Sequence, residues 1–188
     1  MLKEQIVRYT PSCEQEERDK AIILKYFEIF NDVLTRNNEI GHFSASAWAV
    51  NKDRTKVLMV YHNIYNSWAW TGGHADGEEN LLEVAIRELK EETGVKNINV
   101  ISDDILGIDV LHVERHIKRG KFISSHMHLN LTYLIEVDEN DQLIVKEDEN
   151  KGVKWIPIDD INNEVSEEGM KIVYAKMVEK SNKYGGVI

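Results

Sequence analysis

Three glutamates, Glu88, Glu91 and Glu92, fall within one short stretch near the middle of the chain. If residues 80–93 are helical, a rotation of about 100° per residue places all three carboxylates in one sector of the helix surface. Like charges at i,i+3 and i,i+4 repel, so a bare helix carrying them is destabilised. A hard divalent cation with oxygen ligands offsets that repulsion. The preceding segment, 72–79, is rich in glycine and acid, and its glycines let backbone groups approach a ligand closely. Gly94 supplies the helix stop. The chemistry this set could support is a carboxylate-held magnesium ion beside a flexible loop. Two further groups could shape a pocket around it. Trp68 and Trp70 alternate on a strand-like segment and could stack on a base, although core packing is the commoner fate of tryptophan. His126, His128, Asn130 and Thr132 share one face of a strand and could line a cleft or face water. His74, inside the loop, reads as a surface residue.

These groups need a scaffold. On the helix at 80–93, Leu82, Ala85, Ile86, Leu89 and Thr93 form one face that would pack on a sheet. Upstream, residues 42–50, a polar turn at 51–54 and an apolar run at 57–61 read as a hairpin. Downstream, β-like segments at 106–117 and 121–137 flank a turn at Lys118-Arg119-Gly120. Short strands are expected at 143–145 and 153–157, and a closing helix at 167–183. Residues 12–36 read as one helix, with Ser12 and Gln15 resembling a capping box. Its apolar stripe, Ile23, Tyr26, Phe27, Phe30 and Leu34, must be buried on the same domain or on a second copy. Strands interrupted by helices predict an α/β (α+β) layered fold. The expected organisation is an N-terminal helical extension, 1–40, followed by the main domain, 41–188.

Composition sets the outer limits. A chain of 188 residues can bury a core without disulfides or a structural metal. The net charge of -10 repels a phosphate backbone, which argues against a nucleic-acid polymer as partner. Small phosphorylated substrates stay open, because a bound cation reverses the local field. Cys13 stands alone, so neither an internal disulfide nor a cysteine-based zinc site is expected. No apolar run has the roughly 18 residues of a membrane span, and the start lacks a signal-peptide pattern. A reducing cytoplasm is the expected location.

The stretch Gly73–Val95 matches the Nudix box, G-x5-E-x7-R-E-U-x-E-E-x-G-U with U aliphatic, at every constrained position. A chance match in a chain of this length is on the order of one in ten million at average residue usage. The chain therefore resembles the Nudix hydrolase family over roughly residues 40–160. The strand pair before the box and the later GVKWIPIDDI segment add to the likeness. The resemblance implies an α/β/α sandwich with a mixed sheet. It also implies Mg2+- or Mn2+-dependent cleavage of a diphosphate linkage, in a nucleoside diphosphate linked to another moiety or a related small molecule. Carried onto this chain, it makes Glu88, Glu91 and Glu92 metal ligands, together with the Gly73 carbonyl. Arg87 and Glu79 brace the loop and helix by ion pairing, and Gly94 closes the box. The general base falls to Glu91 or, further downstream, Glu147 or Glu149. Trp70, His126 and His128 are candidate substrate contacts. Where many members carry a proline in the loop, this chain has GGHADGEE, which predicts a slightly altered loop around an intact metal site. Family members often pair, so a homodimer is a further expectation. Two rival readings remain: an isopentenyl diphosphate isomerase-like enzyme, disfavoured because WAWTGGHAD lacks the cysteine that chemistry needs, and a non-catalytic ligand-sensing domain, disfavoured because every box residue is kept.

Overall fold

The computed structural model describes residues 1–118 and 120–184; the expected turn at Arg119 and the domain end at 188 lie outside the described residues. A ten-residue strand, β1 (Gly41–Val50), is buried along its whole length and forms the axis of the fold. Its small, alternating side chains (Ser44, Ala45, Ser46, Ala47) let other elements close on both faces. At its far end β1 meets β2 (Lys56–His62) through Val50 and Val57, the expected hairpin. Further back it pairs antiparallel with β4 (Thr71–His74), so the first three residues of the segment expected as loop are strand. Between them β3 (Ser67–Ala69) pairs with β2. On its other side β1 runs parallel to β9 (His126–Val137), in unbroken register from Gly41 opposite Met127 to Val50 opposite Glu136. Strand β9 also carries β5 (Ile98–Val100) and β6 (Gly107–Val113), both antiparallel. Strand β10 (Asn150–Pro157) closes the other edge against β2. The result is a mixed sheet with the order β10-β2-β1-β9-β5. Strands β7 (His116–Lys118) and β8 (Lys121–Ile123) form a separate two-stranded ribbon, which splits both of the long β segments expected from sequence. Residues 143–145, expected as a strand, lie outside any strand; Ile144 is held by its N–H on the Thr93 carbonyl.

Alternation divides the sheet into two faces. Phe43, Ala45, Ala47 and Ala49 pack with Leu129, Leu131 and Tyr133 under helix α3 (Leu81–Thr93). The buried face of α3 is rotated from the expected stripe: Leu81, Val84 and the carboxylate-bearing Glu92 join Ala85, Leu89 and Thr93, while Leu82 and Ile86 are only half-buried. Trp48, Val50 and Leu134 belong to the opposite face, which is covered by α4 (Ile161–Glu164) and the closing helix α5 (Glu168–Lys183). Helices on both sides of a mixed sheet make the expected α/β/α sandwich.

The N-terminal region departs from the single helix expected at 12–36. It forms α1 (Leu2–Arg8) and α2 (Glu14–Ile29), and no helix runs past Ile29. The cap also differs from the expected one. Cys13 is the N-cap, and Glu16 rather than Gln15 reaches back, accepting from both the N–H and the hydroxyl of Ser12. Leu2, Ile6 and Ile23 join the same core as α3, with Tyr26, Phe27, Phe30 and Leu34 packed against it. The apolar stripe is thus packed on its own domain, with Tyr26, Phe27 and Phe30 half-buried there.

Gly94 ends α3 at φ +75°, and a Cβ there would stand 2.8 Å from Ile144 Cβ. Gly94→Ala therefore combines a left-handed backbone with a clash. It is expected to cost about 1–3 kcal/mol, read as a lower urea midpoint with an unchanged slope.

Candidate active site

The carboxylates sit where α3 faces the β4 strand. Glu92 is almost fully buried; its Oε1 accepts from the Gly72 N–H at 3.0 Å and its Oε2 from the Asn150 amide at 2.9 Å. Burial raises its pKa from 4.5 to about 7, with the neighbouring Glu88 and Glu149 charges adding to the rise and the two hydrogen bonds opposing it. Burial also raises Glu88, helped by the Glu91 charge. One buried and one half-buried carboxylate are thus held above their ordinary range side by side, an arrangement a bound cation would relieve. Gly73 shows why that position is glycine. A Cβ on it would fall 2.4 Å from Glu88 Cδ, so the Glu88 carboxyl lies directly against the Gly73 backbone. Gly73→Ala is expected to displace Glu88 and lower hydrolase activity at least about tenfold, with the melting temperature changed far less than the rate.

Glu91 differs from its neighbours in being half exposed, and Lys146 stands 3.7 Å from it. The same Lys146 ammonium pairs with Glu149 at 2.9 Å. Glu147 is exposed. Glu149 thus reaches the carboxylate cluster through a shared lysine, whereas Glu147 points to solvent.

Arg87 and Glu79, expected as ion-pairing braces of the loop and helix, both lie at the surface. Glu79 is exposed, and the Arg87 guanidinium lies 3.6 Å from the Glu88 carboxylate. The loop is anchored elsewhere: Arg36 grips Asp76 through two bonds of 2.7 Å, and the Gly77 N–H donates to Leu34 O. Asp76 (φ 48°) and Gly77 (φ 95°) make the left-handed turn that this docking needs. The altered loop composition therefore has a physical counterpart in a loop tied to residues 34–36.

Trp70 is half-buried, edge-on to Tyr174 at 5.2 Å, and its backbone N–H donates to the Tyr174 hydroxyl. Trp68 lies edge-on to Tyr61, with the Lys154 ammonium 4.4 Å from its ring. Both pack against the core under α5.

The polar strip on β9 is internal. Asn130 accepts from the hydroxyls of Ser44 and Ser46 and donates to Thr132, and all four residues are buried. His126 and His128 meet His42 of β1 and His74 of β4, with ring centroids about 5 Å apart. His74 is thus half-buried within a histidine tetrad rather than a surface residue. Burial, with His74, His42 and His126 alongside, takes the His128 pKa down to about 2, and burial lowers His42 as well.

Sequence reasoning missed Lys146, Asn150 and His42. Nothing in the sequence distinguishes Lys146 or Asn150, because their roles arise only when the segment after β9 folds back onto α3. His42 had a signal. The alternation His42, Ser44, Ser46 mirrors His128, Asn130, Thr132, and two polar strips of equal period suggest neighbouring strands.

The sandwich thus holds a glutamate-bearing helix against a glycine strand. The model of the NUDIX domain family matches residues 41–179, and the chain belongs to that family. It is similar to the m7GpppN-mRNA hydrolase NUDT17 of Xenopus laevis, 33% identical over 89 residues, which are 47% of this chain and 28% of that protein. The chain thus spans well under half of that relative. It is also similar to the asymmetrical bis(5'-nucleosyl)-tetraphosphatase of Rattus norvegicus, 30% identical over 115 residues, 61% of this chain and 72% of the rat protein. Among solved structures, a C. elegans Ap4A hydrolase binary complex superposes with a TM-score of 0.53 at 18% identity, covering 76% of this chain and 96% of that one.

Proposed function

We propose that this chain is a divalent-metal-dependent hydrolase that cleaves the diphosphate linkage of a small, nucleotide-like molecule. The observation that carries the reading is the buried Glu92, held by Gly72 and Asn150 with its pKa raised to about 7 beside a second raised carboxylate, Glu88. The donor set is all oxygen, which suits Mg2+ or Mn2+. Glu88, Glu91, Glu92 and the Gly73 carbonyl would hold the ion. When bound, it supplies Lewis-acid stabilisation of charge developing on the phosphate oxygens.

The chain's own groups do the rest. Gly72 and Asn150 orient the Glu92 carboxylate, and Arg87 beside Glu88 holds positive charge at the mouth of the site. Glu79 and Gly94 keep loop and structural roles, bounding the loop and closing α3. Glu91, half exposed, is the proposed base that takes the proton of the attacking water. Glu149 is the second candidate, favoured by its place on Lys146 and by its charge being felt at both Glu88 and Glu92. Trp70 is proposed as an apolar wall for the substrate. His126 and His128 serve it indirectly, because their ring nitrogens are turned toward one another and toward backbone.

The names of the frog and rat relatives point to nucleoside 5'-polyphosphate chains as the substrate class. The net charge of -10 favours a free nucleotide over a polymer. Among the described residues no helix is long and apolar enough to cross a membrane, and a cytoplasmic site of action is proposed from the lone, exposed Cys13. The test is release of phosphate products from a panel of dinucleoside polyphosphates, nucleotide sugars and nucleoside triphosphates with Mg2+, comparing wild type with Glu91→Gln and Glu149→Gln. Turnover that depends on one of these glutamates supports the reading. Tight binding of a panel member without cleavage would replace it with a sensing module.

A further inference from the structure

Strand β4 presents two faces. Gly73 lies against Glu88 on the α3 side, and alternation turns its neighbour His74 to the opposite side of the sheet. There His74 meets His42 at the start of β1 and His126 and His128 at the start of β9. One ligand atom from each of the four histidines lies within 4.8 Å of every other.

Two features separate this group from a chance stack of rings. First, the backbone fixes which nitrogens face inward. His42 Nδ1 is 2.9 Å from Asn38 O and His126 Nδ1 is 2.8 Å from Ser124 O. A carbonyl only accepts, so both Nδ1 atoms carry the proton and both Nε2 atoms keep a lone pair. This carbonyl-backed arrangement is how metal-binding imidazoles are oriented. Second, His42 is 4% exposed, and its Nε2 is buried with no hydrogen-bond partner. A buried polar atom left unsatisfied calls for an explanation such as an ion. The geometry also fits. His126 Nε2 and His128 Nε2 are 3.3 Å apart, and four nitrogens at about 2.0–2.1 Å in a tetrahedron stand roughly 3.3 Å from each other.

We propose that His42, His74, His126 and His128 form a binding site for one transition-metal ion of the zinc class, separate from the carboxylate site on the other face of β4. Four imidazoles without a carboxylate select borderline ions such as zinc, cobalt or nickel over magnesium. A set of four protein ligands closes a tetrahedral shell, which marks a structural ion rather than one that activates water. It fastens the ends of β1, β4 and β9 to one another and so fixes the strand from which Gly73 is presented.

The test uses the full chain, stripped with a chelator and titrated with Zn2+, and with Co2+ as a spectroscopic probe, in excess Mg2+. The expected result is one equivalent bound per chain, unaffected by Mg2+, with the visible spectrum of tetrahedral cobalt. Binding should persist in Glu92→Gln, which alters the carboxylate site, and weaken at least about tenfold in His128→Gln and His42→Gln. X-ray absorption on the zinc-loaded wild type should give a shell of imidazole nitrogens, a readout that needs no variant to fold. No binding at one equivalent, a shell dominated by oxygen, or binding lost in Glu92→Gln but kept in the histidine variants would each overturn the site. Because turnover is not the readout, the outcome stands apart from whether the chain hydrolyses diphosphates.

Discussion

Glu92→Gln should lower turnover by at least about a hundredfold and, without metal, make the protein more stable than wild type above neutral pH. The two effects share one cause. In the unfolded chain Glu92 titrates near 4.5; burial in the fold raises it to about 7. Between those values the folded state holds a proton that the unfolded state has lost. Stability contributed by this group is therefore full below pH 4.5 and declines as pH rises toward 7, by on the order of 3 kcal/mol in total. Glutamine carries no charge to bury. It also keeps both hydrogen bonds, because Asn150 Oδ1 is buried and unpartnered and an amide flip presents it to the new side-chain NH2. Urea unfolding at pH 5 and pH 8 in chelator is the measurement. The variant should gain on wild type at pH 8 and converge with it at pH 5. A variant that is the less stable of the two at pH 8 would show that the carboxylate charge is not strained in the fold.

The second large effect is expected far from the site. Glu16 of α2 is fully buried, 2.8 Å and 2.9 Å from the Lys180 ammonium on α5 and 3.4 Å from Lys176. Lys176 also holds Asp109 of β6 at 2.6 Å. Burial works against all these charges, pushing Glu16 up and Lys180 down. For Glu16 the Lys180 and Ser12 hydrogen bonds, with Tyr9 and Lys176, more than offset it and take the pKa down to about 2. Lys180→Ala leaves Glu16 buried with one partner fewer, which should cost about 3–5 kcal/mol. That is a fall of roughly 10 °C in melting temperature for a chain of this size. The Glu16 contribution is full above pH 4.5 and is lost as pH falls toward 2, so the gap between variant and wild type should narrow in acid. A gap that stays constant from pH 7 to pH 3 would place the loss in packing rather than charge.

That cluster also shows what was legible in the sequence. The box helix, the hairpin before it and the closing helix were all readable, because each has a strong period and clear stops. Glu88 and Glu92 lie against Gly73 and Gly72, so the nearness of the glycine strand to the glutamate helix was legible too. Glu16 is not singled out in the sequence, since nothing local marks a residue whose ammonium partner, Lys180, lies 164 positions away. The N-terminal region was misjudged for a related reason. Its apolar spacing continues to Leu34, but Phe30 turns to an extended backbone so that the segment beyond it can hold the box loop through Arg36 and Asp76. The histidine tetrad was half visible in His126 and His128; the other half needed the parallel register that brings His42 opposite His128.

That register has a consequence for how the chain comes to be folded. The two longest strands, β1 and β9, lie side by side along their whole shared length although about 85 residues separate each pair of partners. Loop closure over such a span must precede any reward from the contacts, so the central pairing is intrinsically slow. During synthesis β1 emerges early and waits, ten residues with both faces apolar or lightly polar, until β9 has left the ribosome. In that interval the edge that β9 will cover is open to other chains. Expression yield should therefore respond more to changes in β1 than stability does, and a chaperone that shields extended apolar segments should raise the yield of soluble protein.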